Sequence, residues 1–319
     1  MTIQRVAVIG AGEWGTALAQ AAAMAGRDVT LIGRDGDVLA EINVAHTNRK
    51  HLGLQRLSPR ISATSRYSGA DLVILAVPAQ STRAALTALG RIGEPVVLSA
   101  KGLEHDTLLR QSQILAELAP DATPFVLSGP SFAVDVAAGR PTAVTLAGDD
   151  DAATNRIATA LAGPSFRPYA AGDIIGVELA GALKNVYALA AGAVDGAGLG
   201  ASARAGLIAR AFAELSRLIP ALGGRAETLT GLAGLGDLTL SCTSTQSRNY
   251  RAGMALGRNE LPSEGLAEGV FTAPVARMLV AQIGADAPLI EAVNLLLERN
   301  QSIEKIVAGL MSRPLKRED

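Results

Sequence analysis

Residues 6–26 read VAVIGAGEWGTALAQAAAMAG and set three glycines, Gly10, Gly12 and Gly15, between an apolar run and an alanine-rich run. The apolar run is typical of a buried parallel strand, and the alanine-rich run is typical of a tightly packed helix. In this spacing the first glycine permits a sharp turn, the second lets a pyrophosphate approach the backbone, and the third lets helix pack on strand. N–H groups at the start of such a helix bind phosphate. The stretch predicts a dinucleotide-binding turn; the alternative is a tight turn without a ligand.

The end of the second predicted strand bears on the choice of cofactor. Residues 28–35 read DVTLIGRD, so that Arg34 precedes Asp35. A carboxylate at this place usually accepts a hydrogen bond from the ribose of NAD, whereas an arginine pairs with the 2′-phosphate of NADP. We predict that Arg34 binds NADP(H), with NAD(H) as the other candidate, and that Asp35 caps the next helix. The alternative is that Arg34 is a solvated loop charge.

Composition limits the classes of partner. The chain has 319 residues, enough for two domains, and its 49% hydrophobic residues include only 3% aromatics, so small aliphatic side chains must form the cores. A net charge of −1 provides no field that attracts nucleic acid or an anionic membrane. An anionic substrate must therefore be bound by local arginines and lysines.

Cysteine usage and hydropathy predict a cytoplasmic protein. One cysteine, Cys242, excludes an internal disulfide and a cysteine metal site. The chain enters the first predicted strand almost at once, and we expect no signal peptide. The apolar stretches of the second half are interrupted by Lys184, Asp195, Arg204 and Arg210, so none is expected to reach the roughly 20 residues that span a bilayer. We therefore expect no membrane insertion.

The order of apolar runs predicts an α/β fold. Strands are expected at residues 6–10, 29–32, 72–77, 96–99, 125–128 and 143–147, with helical stretches between them. Residues 43–62 are polar without a clear pattern and are interpreted as a loop beside the cofactor. From about Asp173 long helical stretches follow, broken by glycine-rich turns at 196–200, 223–224 and 231–236. The prediction is a doubly wound Rossmann domain at 1–172 followed by an all-helical domain at 173–319.

Two segments after predicted strands carry polar groups. Residues 98–104, LSAKGLE, set Lys101 just beyond a strand, where open α/β sheets bind ligands. Residues 127–133, LSGPSFA, set Gly129, Ser131 and Ala133 in a turn with exposed N–H and hydroxyl groups. Lys101 is thus a candidate for binding a charged substrate, and the alternative is an ordinary surface lysine.

Residues 177–192, VELAGALKNVYALAAG, predict a helix in which Lys184 shares a face with small apolar residues. A poorly solvated ammonium group has a lowered pKa, which suits proton transfer. The alternative is a lysine that extends out of a helix interface. Asn185 is expected to orient a substrate hydroxyl or to cap a neighbouring backbone.

Residues 231–253, GLAGLGDLTLSCTSTQSRNYRAG, bring Asp237 close in sequence to Ser247, Arg248 and Asn249. An arginine with a hydroxyl and an amide suits a phosphate dianion better than a carboxylate, because more donors are available. The alternative is a solvated helix start capped by Ser247.

Cys242 in the same segment has no predicted partner base, so we interpret it as a small buried hydrophobic residue. The three histidines, His46, His51 and His105, lack metal-ligand spacing, and no metal is expected.

Taken together, these segments resemble the bacterial type of NAD(P)-dependent glycerol-3-phosphate dehydrogenase. Seven motifs occur in that family's order, and together they span nearly the whole chain. They are GAGEWGTALA, the strand-end KG, SGPSFA, GALKN, GLGDL, QSRN and AEGVFTA. Related β-hydroxyacid dehydrogenases share the first motif and a helix lysine, but they lack the combination with GLGDL and QSRN.

The resemblance implies reversible oxidation of sn-glycerol 3-phosphate to dihydroxyacetone phosphate, which supplies phospholipid synthesis. It implies that Lys184 exchanges the proton and that Asp237 holds Lys184 and the substrate hydroxyls. The implied substrate-binding residues are Lys101, Gly129, Ser131, Lys184, Asp237, Ser247, Arg248 and Asn249. The implied cofactor-binding residues, besides the three glycines, are Trp14, Arg34, Lys101, Ala133, Arg248, Leu266 and Glu268. It also implies a homodimer.

One residue departs from the family pattern. Glu13 lies inside the glycine turn, where the family often has serine, and a carboxylate there lowers pyrophosphate affinity unless it points away or meets a cation.

Two other functions compete with the main prediction: a β-hydroxyacid dehydrogenase acting on a carboxylate substrate, and a non-catalytic redox sensor that binds NADPH.

Overall fold

The computed structural model describes residues 2–261, 267–299 and 301–314, and its first half is built on one eight-stranded sheet. The strands are β1 (Arg5–Ile9), β2 (Asp28–Ile32), β3 (Ile61–Thr64), β4 (Leu72–Leu75), β5 (Val96–Leu98), β6 (Pro124–Ser128), β7 (Thr142–Ala147) and β8 (Phe166–Ala171). The helices among them are α1 (Glu13–Met24), α2 (Gly36–Ala45), α3 (Arg49–Leu52), α4 (Thr82–Leu89), α5 (Gln111–Leu118), α6 (Ala133–Ala137) and α7 (Asp151–Leu161).

The strand order fixes where a ligand can bind. It runs β3-β2-β1-β4-β5-β6-β7-β8, and neighbouring strands are parallel except for the antiparallel pair β6 and β7. After β3 the chain crosses back over β1 and β2 and enters β4, so the order reverses at β1. The crevice beyond the carboxyl ends of β1 and β4 is therefore the expected ligand site of this doubly wound sheet.

Every strand predicted from an apolar run is present, but two edge strands were missed. Residues 43–62, predicted as a loop, contain the end of α2, all of α3 and the first residues of β3. In β3 the buried Ile61 and Ala63 alternate with the exposed Ser62, and β8 alternates in the same way. Both strands close an edge of the sheet, so they lack the continuous apolar runs on which the strand predictions rested.

The second half of the described chain is helical. Its helices are α8 (Ile174–Gly196), α9 (Ala201–Ala221), α10 (Asp237–Thr243), α11 (Arg248–Gly257), α12 (Glu268–Gln282), α13 (Pro288–Glu298) and α14 (Ile303–Met311). The last strand ends at Ala171 and α8 begins at Ile174. We retain a division into domains at 172/173 as a proposal.

Helix α8 corrects one expectation about hydropathy. It is 23 residues long and apolar enough to span a membrane by length and composition, although no such segment was predicted. However, 94% of its most apolar window is buried inside the fold. The apolar residues of α8 are thus explained by packing, since the helix runs through the core of the helical half.

Close packing of α8 against α11 depends on glycine in both helices. Gly192 and Gly196 on α8 face Gly253 and Gly257 on α11, and each pair is spaced four residues apart. A Cβ atom at any of the four would lie 2.0–2.2 Å from a carbonyl oxygen of the opposite helix. Such contacts are far too short for real side chains, so only glycine lets the two backbones meet. This contact holds the start of α11 near the middle of α8.

Candidate active site

The glycine turn between β1 and α1 has the predicted conformation. Gly10 has φ +115°, its N–H donates to the carbonyl oxygen of Ile32 at 2.8 Å, and a Cβ there would lie 2.5 Å from the carbonyl oxygen of Ala76. At Gly15 a Cβ would lie 1.8 Å from the carbonyl oxygen of Gly10. At Gly12, by contrast, a Cβ would have no atom of the described non-adjacent residues within 4 Å.

Because Gly12 is also the cap residue of α1, the first N–H groups of that helix face this open space without a capping side chain. These features fit a pyrophosphate group.

Of the two polar residues after β2, Asp35 has the predicted role. Asp35 caps α2 by accepting hydrogen bonds from the N–H groups of Asp37 and Val38, which confirms that interpretation. Arg34 is exposed and makes no hydrogen bond or ion pair with any residue in the described ranges. Lys50 Nζ lies 2.7 Å from Asp35 Oδ2, and this hydrogen bond is the main cause that lowers the pKa of Asp35. Sequence reasoning missed Lys50, because it assigned residues 43–62 to a loop.

That segment nevertheless lies against the glycine turn, as expected. The buried Asn48 donates through Nδ2 to the carbonyl oxygen of Ala11 at 3.1 Å and to Thr16 Oγ1 at 2.8 Å. Trp14 and Ala133 pack on the core where α1 meets α6. The indole N–H of Trp14 is buried and has no hydrogen-bond partner among the described residues.

The centre of the site is a buried carboxylate between two ammonium groups. Asp237 is 1% exposed and Lys184 is 6% exposed. Lys184 Nζ contacts Asp237 Oδ1 and donates to Ser241 Oγ at 2.8 Å. Lys101 Nζ lies 2.7 Å from Asp237 Oδ2 and 2.9 Å from the carbonyl oxygen of Gly129. The prediction that Lys184 is poorly solvated is confirmed, and the alternative that it extends into solvent is wrong.

Three elements meet to form this cluster. Lys184 lies on α8, Lys101 follows β5, and Asp237 is the first residue of α10, directly after a π-helical turn at Leu232–Gly236. Gly181 lets α8 come close to the sheet, since a Cβ there would lie 2.7 Å from Ser128 Oγ. The helical half thereby reaches the carboxyl ends of β5 and β6, where ligands bind in this fold.

Burial and charge shift the two central groups in a chemically useful way. Desolvation lowers the pKa of Lys184 to about 8, although the charge of Asp237 opposes the change. Desolvation alone would raise the pKa of Asp237, but the charges and hydrogen bonds of Lys101 and Lys184 outweigh it and hold that pKa below its usual value. An ionised Asp237 thus faces a Lys184 amino group that can donate a proton as the ammonium or accept one as the neutral amine near pH 8.

The segment around Gly129 supports Lys101. Gly129 has φ +143°, which favours glycine, and a Cβ there would lie 2.9 Å from Val144 Cα. Its carbonyl oxygen accepts from Lys101 Nζ and from Ser131 Oγ, both at 2.9 Å. Ser131 and Lys101 thus donate to the same carbonyl oxygen.

Residues of the QSRN segment form the start of α11. Ser247 caps the helix by accepting from the N–H of Tyr250, as the structural alternative proposed. Asn249 is buried and bridges α8 and α12, because its Nδ2 donates to Asn185 Oδ1 at 2.9 Å and its Oδ1 accepts from the N–H of Gly269 at 2.8 Å. Its side chain is therefore committed within the protein.

Asn185 in turn donates to the carbonyl oxygen of Lys101 at 2.8 Å. The second of its two predicted roles, a contact with backbone, is the one observed. Ser241, which contacts Lys184, was missed in the sequence; its position four residues after Asp237 on α10 was the available signal.

Arg248 and Glu268 connect the helical half to the sheet. Arg248, the first residue of α11, pairs with Glu13 of α1, so Glu13 does meet a cation. Glu268 Oε1 accepts from the N–H of Ala79, just after β4, at 3.2 Å, and burial raises the pKa of Glu268. Its Oε2 is buried without a partner in the described parts of the chain. Leu266 lies outside the described residues.

Cys242 is buried, and desolvation raises the pKa of its thiol to about 12. It therefore remains a neutral thiol, which confirms its interpretation as a small hydrophobic residue.

Comparisons with known proteins agree with this architecture. The N-terminal family model of NAD-dependent glycerol-3-phosphate dehydrogenase matches residues 5–154, and the C-terminal model matches residues 173–308. The chain is 51% identical to a glycerol-3-phosphate dehydrogenase (NAD(P)+) of Bradyrhizobium sp. strain BTAi1 over 99% of both chains. It is 49% identical to the enzyme of the same name from Caulobacter vibrioides, with both chains fully covered.

Among solved structures, a glycerol-3-phosphate dehydrogenase from Coxiella burnetii superposes with a TM-score of 0.90 at 34% identity, covering 98% of this chain and 99% of the other. Both halves of the chain, together with the order of its sheet and helices, therefore belong to the NAD-dependent glycerol-3-phosphate dehydrogenase family.

Proposed function

We propose that this protein interconverts sn-glycerol 3-phosphate and dihydroxyacetone phosphate with a nicotinamide dinucleotide, and that Lys184 exchanges the proton. The observation that carries the proposal is the buried contact of Lys184 with Asp237, joined by Lys101 at the carboxyl edge of the sheet. A carbonyl-reducing site needs an acid at the reacting oxygen and donors for the charged end of the substrate. This cluster and the nearby Arg248 provide both.

The cofactor is held by the glycine turn and its surroundings. Gly10, Gly12 and Gly15 present the N–H groups of α1 to a pyrophosphate. The unpartnered indole N–H of Trp14 and the unpartnered Glu268 Oε2 are two further polar groups in the neighbourhood. When bound, the nicotinamide ring gives or takes the hydride.

In reduction, the Lys184 ammonium donates a proton to the oxygen that develops negative charge at C2. In oxidation, the neutral amine takes that proton from the hydroxyl. Asp237 fixes the direction of the Lys184 side chain, and Ser241 Oγ accepts a second hydrogen bond from Nζ at 2.8 Å. Lys101 Nζ is held by the other oxygen of Asp237, Oδ2, and offers an additional hydrogen-bond donor to the substrate.

The substrate phosphate is bound at the start of α11. Arg248 supplies a guanidinium group, and the first N–H groups of the helix supply further donors. Since the Asn249 side chain already bridges Asn185 and Gly269, we assign it mainly to positioning this helix end.

The direct test is oxidation of NADPH by the purified protein with dihydroxyacetone phosphate, followed at 340 nm. Competing assays with small 2-oxo and 3-oxo carboxylates address the β-hydroxyacid alternative. Turnover of a carboxylate in place of the triose phosphate would favour that alternative. Tight NADPH binding without turnover of any triose phosphate would instead favour a redox sensor.

The pKa of Lys184 predicts opposite pH profiles for the two directions. At saturating substrate, kcat for reduction should fall as pH rises through about 8, because the ammonium donor is lost. kcat for oxidation should rise over the same interval, because the neutral amine is the acceptor. The substrate phosphate titrates near pH 6 and is fully charged in this range. Two profiles that are flat between pH 7 and 9 would contradict the assignment.

We propose that the enzyme prefers NADP(H), and Arg34 supports this because it is exposed at the end of β2 without a partner in the described chain. Arg34→Ala should raise KM for NADPH about tenfold and leave KM for NADH within about twofold, since only NADPH carries the 2′-phosphate. Arg60→Ala is a suitable control, because it removes an exposed arginine that pairs with Asp28 at 2.7 Å. Equal changes for both cofactors would refute the role of Arg34.

We also propose a cytoplasmic homodimer. The reduced, buried Cys242 is compatible with a reducing compartment. The dimer rests on the family resemblance, and light scattering on the purified protein would test it.

A further inference from the structure

The ion pair between Glu13 and Arg248 joins two helix N-termini across the site. Glu13 is the first residue of α1, directly after the glycine turn, and Arg248 is the first residue of α11. Their side chains are 29% and 50% exposed, respectively, so both groups are accessible to solvent. Both residues therefore occupy places where an anionic ligand is expected.

Two further cationic groups belong to the candidate active site. Lys101 and Lys184 share one carboxylate, Asp237. The positive ends of the α1 and α11 dipoles add to this field. Burial raises the pKa of Glu268, whose Oε1 accepts from the N–H of Ala79 just after β4, and so favours its neutral form. Glu13 is the carboxylate that pairs with Arg248.

We propose that Glu13 occupies Arg248 in the ligand-free enzyme in place of a phosphate, and that cofactor binding at the glycine turn releases Arg248 to the substrate. The inference rests on the proposed function. Glu13 is adjacent to Gly12, where the open space and the N–H groups of α1 fit a pyrophosphate. A carboxylate next to two phosphate charges is repelled, so Glu13 turns away and its contact with Arg248 is lost.

This competition has a thermodynamic consequence. If a bound cofactor removes Glu13 from Arg248, it must strengthen binding of the substrate phosphate, and bound substrate must strengthen cofactor binding by the same factor. Breaking a partly exposed ion pair of this kind should change the affinity for the substrate, or for the cofactor, by a factor of about two to five. Glu13 is therefore a positioning residue that couples the binding of cofactor to the binding of substrate.

The test measures binding of glycerol 3-phosphate by calorimetry with and without saturating NADPH. Both compounds are in the reduced form, so no turnover occurs during the measurement. In the wild type, NADPH should tighten binding of glycerol 3-phosphate about two- to fivefold. Glu13→Gln keeps the shape of the side chain and removes its charge. Without NADPH this variant should bind glycerol 3-phosphate about two- to fivefold more tightly than the wild type does, and NADPH should not tighten that binding further.

A second readout follows the cofactor directly. Trp14 is the only tryptophan and is adjacent to Glu13, so its fluorescence reports NADPH binding at the turn. NADPH should bind Glu13→Gln as tightly as the wild type or up to about fivefold more tightly. Glu13→Ser should behave in the same way and provides a second variant if the glutamine protein does not fold.

Asp121→Asn is the matched control. It removes a carboxylate from an exposed ion pair with Arg91 at the opposite edge of the sheet, before β6, and should leave both affinities unchanged. Equal strengthening by NADPH in wild type and Glu13→Gln, or loss of NADPH binding in the variant, would overturn the inference. Absence of triose phosphate turnover in the wild type would instead be a failure of the proposed function.

Discussion

Replacing Lys184 with methionine is expected to lower kcat for reduction of dihydroxyacetone phosphate by about 10²- to 10⁴-fold, which is the usual contribution of a well-placed general acid. Methionine keeps the length and the apolar body of the side chain, so the packing of α8 is preserved while Nζ is removed. Asp237 retains its contact with Lys101 at 2.7 Å and is not left without a counter-charge. The loss should therefore appear in kcat and not in folding.

Three measurements separate chemistry from binding in this variant. kcat is measured at saturating NADPH, the NADPH dissociation constant is measured by Trp14 fluorescence, and the melting temperature reports folding. The dissociation constant should stay within about twofold, because Lys184 does not contact the glycine turn in the proposed arrangement. Lys305→Met, on the exposed side of α14, is the control lysine variant. Turnover at the wild-type level in Lys184→Met would assign the proton transfer to another group.

The parts of the site that the sequence predicted are those that depend on local pattern. The glycine turn is specified by three residues next to a strand, and its geometry follows from steric limits on Gly10 and Gly15. Lys184 was predicted to be poorly solvated because its helical neighbours are small and apolar. Asp35 was recognised as a helix cap from its position alone, and the hydrogen bonds of α2 agree.

The parts that could not be predicted depend on contacts between distant segments. Glu13 and Arg248 are 235 residues apart in the chain, and nothing in either segment indicates which partner the other will meet. The same holds for Asn249, because nothing in the QSRN segment indicates that its side chain bridges Asn185 and Gly269. Lys50 was missed because four-residue elements such as α3 and β3 carry too few residues to show a period.

The second large effect is expected for Asp237→Asn, which removes the charge between two buried ammonium groups. Losing one partner of a buried ion pair typically costs about 3–5 kcal/mol in the free energy of unfolding, because the remaining charge has no compensation. Here Lys101 and Lys184 both lose their counter-charge, while asparagine keeps the size of the side chain. The melting temperature should fall well below that of Asp121→Asn, whose ion pair is exposed.

The pH profile of Asp237→Asn shows whether Asp237 also sets the protonation of Lys184. The charge of Asp237 and its hydrogen bond both raise the pKa of Lys184 against desolvation, so their loss should move that pKa below about 8. The fall of reductive kcat with rising pH should then begin at lower pH than in the wild type, and activity at pH 7.5 should drop more than activity at pH 6.5. Loss of a purely structural aspartate would lower the melting temperature without changing the pH at which reductive kcat falls. An unshifted pH profile would therefore show that Asp237 stabilises the fold and does not set the pKa of Lys184.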